Sequence, residues 1–137
     1  MGSEDEVVRI PYRIYNPPLT GRALHELTAE ERSILHCLYT RHHDGHVRQT
    51  NAQELLGHDH PWVAPFVVKL IGEYVVEIVD VIRNWLESAF DAQSASCDTY
   101  RRFASANPTF IQATAQRATS YWNCYYRSTY PNRGEYP

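Results

Sequence analysis

Seven histidines and a row of carboxylates are the residues of this chain whose types and spacing suit chemistry. The stretch "RHHDGH" brings His42, His43 and His46 together, and "GHDH" sets His58 and His60 around Asp59. Imidazoles and carboxylates bind zinc, nickel or iron when three or four of them converge. His42, His46, His58 and His60 are therefore the candidate ligands. Two features weigh against a centre: Gly45 interrupts the register that would align His42 with His46, and no second pair has the Glu-x-x-His spacing of a di-iron bundle. The expectation is solvated loop histidines, with no metal and no cofactor.

Glu73, Glu77 and Asp80 fall on one helical row. If buried, such carboxylates act as acid and base, because desolvation and like charge raise their pKa values. The simpler expectation is a solvent stripe, or a buried polar network of Glu73, Glu77 and Asp80 with Arg117 from the last helix. No P-loop, Gly-rich dinucleotide turn, nucleophile elbow or Cys-x-x-Cys is present, so catalysis has no positive support.

The third candidate is the C-terminal stretch "SYWNCYYRSTYP", where rings alternate with an arginine. Residues 101–137 carry a net charge of +4 and residues 1–100 a net charge of −7, within a total of −3. Arginine neutralises phosphate and rings stack on bases, which is what a nucleic-acid surface needs. The favoured alternative is a basic helix packed beside acidic groups earlier in the chain.

The elements that must position these groups follow from periodicity and caps. With 137 residues, 43% hydrophobic and 21% charged, the chain suits one folded domain. Residues 1–27 form an extended arm in which Pro11, Pro17, Pro18 and Gly21 prevent a long helix. Thr28 and Glu31 have the spacing of a capping box, which opens the first clear helix. "TNAQELLG" predicts a short helix over 51–56, capped by Thr50 and ended by Gly57. From Pro65 to about Phe90, polar residues recur in steps of three and four, which predicts one long helix with a single polar stripe. Gly72 inside it implies close approach of another backbone. A further helix spans roughly 97–104. Asn107 and Pro108 then start a last one, reaching about Ser128.

The expected fold is all-α: a compact bundle of about five helices around the long, mostly buried 65–90 helix. The arm occupies 1–27, the body 28–130 and the tail 131–137. "LTAEERSILHCL" followed by "TNAQELLG" resembles the first two helices of a helix-turn-helix domain, but "PWVAPFVVKLIGEY" lacks the exposed polar residues of a recognition helix. The His58–Asp59 doublet is similar to that of HD-type phosphohydrolases, yet it precedes "PWVAP" instead of lying within a helix.

Function by elimination is protein–protein association, as a structural module with a protein partner or a second copy. Tyr126, Tyr130, Arg127, Tyr12 and Tyr15 are the expected interaction residues. Two alternatives stay open. One is nucleic-acid binding through the Arg/aromatic C-terminal helix, and the other is a small metal-dependent enzyme using the histidines and the acidic stripe. An acidic opening and an apolar region interrupted by Lys69, Glu73, Glu77 and Asp80 lead to the expectation of a cytoplasmic protein without a membrane segment.

Overall fold

A computed structural model describes residues 9–88 and 93–137. Among them the chain is all-α: α1 (Gly21–His25), α2 (Ala29–Tyr39), α3 (Gly45–Leu55), α4 (Val63–Ile71), α5 (Val76–Ser88), α6 (Ala95–Ala106) and α7 (Pro108–Tyr121). A π-turn over Trp122–Tyr126 extends α7, and a short 3-10 turn covers Arg133–Glu135. Among the described residues no helix is long and apolar enough to cross a membrane. The expected helix end near 90 and the first eight residues of the arm lie outside the described residues.

The caps explain most boundaries. Thr28 Oγ1 accepts from the Glu31 amide at 3.2 Å, and the Thr28 amide donates to Glu31 Oε2 at 2.7 Å, completing the box. Gly57, at φ +88°, turns the chain out of α3 in a conformation that side chains disfavour. Ser94 caps α6 by accepting from the Cys97 amide at 3.2 Å. Pro108 opens α7, but Asn107 faces backwards: its Nδ2 donates to the Phe103 carbonyl at 2.9 Å and closes α6.

Several expectations are corrected. The arm is not extended throughout, since α1 occupies Gly21–His25 within it. α3 begins at Gly45, not at Asn51, because the Asp44 carboxylate accepts from the His46 amide at 2.8 Å and caps the helix six residues earlier than Thr50 would. More consequentially, the long 65–90 helix is two helices. α4 stops at Gly72 and α5 resumes at Val76, with 72–75 forming a bend between them. The close approach inferred at Gly72 is a side chain: a Cβ there would lie 3.0 Å from Arg117 Nε and 3.4 Å from the Thr114 methyl. α7 thus presses on the very residue where α4 ends.

The core is shared by four helices: Cys37 from α2, Ala52 and Leu55 from α3, Val63, Val67 and Leu70 from α4, and Ile78 and Ile82 from α5. α3 packs on α2 and α5, while α4 is flanked by α5, α6 and α7. The 131–137 tail folds back, with Tyr136 only 3% exposed against Tyr126 and Tyr130 and with the Glu135 carbonyl accepting from Arg83 Nη1 at 3.3 Å.

Burial pushes the Cys37 thiol up to about 12 from 9.0. Sign follows directly: the unfolded thiol ionises above about pH 9 while the folded one keeps its proton, so this stability is present below pH 9 and erodes above it. Each pH unit between about 9 and 12 removes about 1.4 kcal/mol, and Cys37→Ser should flatten that limb in urea titrations. In the native protein only Cys124, the exposed thiol, should react rapidly with Ellman's reagent, because Cys37 and Cys97 are buried.

Candidate functional site

The bend between α4 and α5 gathers the charged groups that the chain places inside. Glu73 follows the terminal glycine of α4, and its amide donates to the Leu70 carbonyl at 3.0 Å, which turns the side chain inward. The residue is 8% exposed. A carboxylate so far from water needs a cation. Arg13 of the arm supplies it, with Nη2 3.4 Å from Glu73 Oε2.

Arg13 is held by backbone pairing. The Ile14 amide donates to the Arg41 carbonyl and the His43 amide donates to the Ile14 carbonyl, both at 2.9 Å, which makes a parallel bridge between Ile14 and His42. Beneath that bridge lies Arg48 on α3, 3% exposed, whose Nη1 donates to the His42 and His43 carbonyls at 2.8 and 2.9 Å. Burial lowers the Arg48 pKa and the nearby Glu73 opposes that shift. Lys69, on the last turn of α4, is likewise depressed, first by burial and then by Arg41, while Glu73 again opposes. Five cations (Arg13, Arg41, Arg48, Lys69 and Arg117) therefore act on this bend, against Glu73 within it and Glu77 at its rim.

Aromatic rings cover the outside. Tyr12 is 65% exposed, with the Arg13 guanidinium 4.5 Å and Lys69 Nζ 4.8 Å from its ring centre. Tyr15 stacks on His43 at 4.9 Å. Across the bend Tyr74, Tyr121 and Tyr125 form a triangle with centroids 6.0 to 6.3 Å apart. Tyr126 donates its hydroxyl to the Tyr74 carbonyl and so ties the end of α7 to the bend. An open cleft of about 460 Å³ runs between Arg13, His43, Arg48, Tyr74 and Glu77.

Several residues singled out in the sequence lie elsewhere than expected, while Tyr12, Tyr15 and Arg127 are exposed. The polar network of Glu73, Glu77, Asp80 and Arg117 does not form: the helix break swings Glu73 inward to Arg13, Glu77 stays exposed and Asp80 half-buried. Arg117 is exposed, with Nη2 donating to Thr114 Oγ1 at 3.1 Å. Tyr126 and Tyr130, expected at a partner, are half-buried against Tyr136, because the tail returns over them. Trp122 is also half-buried, its Nε1 donating to the Tyr130 carbonyl at 2.7 Å, and Arg127 sits over its ring. The exposed tyrosines are Tyr12 and Tyr15, as expected, together with Tyr74 and Tyr125, and sequence periodicity missed Tyr74 because it read that residue as interior to a helix.

Both ring nitrogens of His42 are engaged, Nε2 donating to the Asn16 carbonyl at 3.0 Å and Nδ1 accepting from the Asp44 amide at 3.1 Å. His46 and His58 line a separate cleft beside α2, and His60 stacks on Trp62 at 4.3 Å. Among the described residues no three His, Cys, Asp or Glu side chains are grouped to hold a metal. The chain matches no protein-family model, no curated protein and no solved structure.

The bend makes a stability prediction. Glu73→Ala strands the buried Arg48 charge and should cost roughly 3–5 kcal/mol, whereas Arg13→Ala should cost less because Arg48 and Lys69 remain. A double-mutant cycle on the two residues, read by urea denaturation, should return a coupling of about 1–2 kcal/mol. Simple additivity would show that Arg13 does not hold Glu73.

Proposed function

We propose that the protein is an association module, binding through the α4–α5 bend an acidic segment of another protein that also carries apolar side chains. The observation that carries this reading is the pairing of exposed rings with a surplus of cations. Tyr74 is 53% and Tyr125 65% exposed, and Arg117 stands on the same helix one turn from Tyr121. Tyrosine and arginine are the residues that most often anchor protein interfaces, since both bring contact area together with hydrogen bonds. The sign of the charge argues for a partner other than a second copy: two such faces would set cation against cation.

Glu77 at the rim and Asp80 behind it favour a partner with discrete charges over the unbroken phosphates of a nucleic acid. Stacked Tyr15 and His43 support the nucleic-acid reading as the second one, because rings beside cations accept bases.

The test uses a defined probe. Titration of ¹⁵N-labelled protein with the random copolymer poly(Glu,Tyr) should move the amides of Arg13, Tyr74, Arg117 and Tyr125 saturably. The exposed double variant Arg117→Glu, Tyr125→Ala should weaken the effect at least tenfold. Unmoved bend amides would contradict the proposal. Tighter binding of polyuridylate at the same amides would replace it with the nucleic-acid reading.

A further inference from the structure

Beside α2 and α3 lies a larger cleft, of about 780 Å³, that meets the cleft at the bend only at His46. Its walls are the end of the arm with α1 on one side and α2 with α3 on the other. Pro18, Leu19, Leu24 and Val47 give the cleft its apolar surface, and Arg32 and Glu54, of opposite charge, also stand on its walls. That volume suits a drug-sized molecule.

The polar end of the cleft is oriented. Asn51, 7% exposed, donates from Nδ2 to the Val47 carbonyl at 2.8 Å, which leaves Oδ1 as the acceptor facing α2. His36 Nδ1 lies 2.7 Å from that oxygen and must therefore carry a proton. In neutral imidazole the other nitrogen, Nε2, is then an acceptor, and among the described residues it has no partner. One turn further along α2, Tyr39 Oη accepts from the Leu19 amide at 2.9 Å. One of its lone pairs is taken by the arm, and its own proton remains to be given.

Beside its apolar surface the cleft thus presents one free acceptor, on His36, and one free donor, on Tyr39, on adjacent turns of a helix. A hydroxyl group is complementary to that pair, since it donates through its proton and accepts through its oxygen. We propose that this cleft binds a small, largely apolar molecule bearing a hydroxyl group, the O–H donating to His36 Nε2 and the oxygen accepting from Tyr39. Asn51 is the positioning residue, fixing which imidazole nitrogen faces the ligand. The site stands independently of the association reading, because His46 is the one lining residue common to the two clefts and neither proposal uses it.

Calorimetric titration with 2-naphthol and with 2-methoxynaphthalene tests the assignment, as the two share an apolar body and only the first donates. Saturable one-to-one binding of 2-naphthol is expected, with the methyl ether at least tenfold weaker. His36→Phe should remove that difference. Thr50→Trp, on the exposed rim and away from the core, should fill the cleft and abolish binding of both while leaving the helical circular dichroism intact. Equal affinities for the two probes in the wild type, naphthol binding unchanged in both variants, or no saturable binding would overturn the proposal.

Discussion

A carboxylate buried at the break between two helices organises this fold. Burying the Glu73 carboxylate at 8% exposure calls for cations beside it, and they come from parts of the chain that are far apart in sequence. Arg13 reaches it from the arm. Arg48 acts on it from α3 and, through the His42 and His43 carbonyls, holds the strand-like crossing on which the arm is pinned. The dependence is circular. The arm brings the cation that neutralises Glu73, Glu73 offsets the cost of burying Arg48, and Arg48 fixes the backbone to which the arm is hydrogen-bonded.

Functional surfaces follow from that circuit. Where the arm is pinned at Ile14, it leaves Tyr12 and Tyr15 facing outward on one side and continues past Asn16 to Leu19, whose amide meets Tyr39. The same tether therefore builds the rim of the ring-covered bend and closes one wall of the apolar cleft. On the far side of the bend, Arg117 against Gly72 and the Tyr126 hydroxyl on the Tyr74 carbonyl bring α7 into register, so that Tyr121 and Tyr125 stand beside Tyr74.

Local signals were legible where a single side chain decides. Thr28 with Glu31, Gly57 and Pro108 each act within one turn, and each element boundary they imply is present. The helical class was also legible from the spacing of polar residues between 65 and 88. That spacing misled at the bend, because Lys69, Glu73 and Glu77 keep a helical step across a segment where the backbone departs from the helix. Periodicity records which positions are polar, and it is silent on whether hydrogen bonds between them continue. The partner of Glu73 lies sixty residues away, and no local pattern encodes that pairing. The His36–Asn51 pair escaped for a related reason: neither residue belongs to a histidine cluster, and the significance of His36 comes from an acceptor on the next helix.

The break itself is the central claim, and amide hydrogen exchange tests it directly. Among the described residues, the Tyr74 and Val75 amides lie outside both helices and donate to no backbone carbonyl. Val68 and Val79 flank them inside α4 and α5 and are buried. Exchange at Tyr74 and Val75 should be orders of magnitude faster than at Val68 and Val79, which open only with larger parts of the structure. Protection of Tyr74 and Val75 equal to that of Val68 and Val79 would mean one continuous helix across the bend, and would contradict the account.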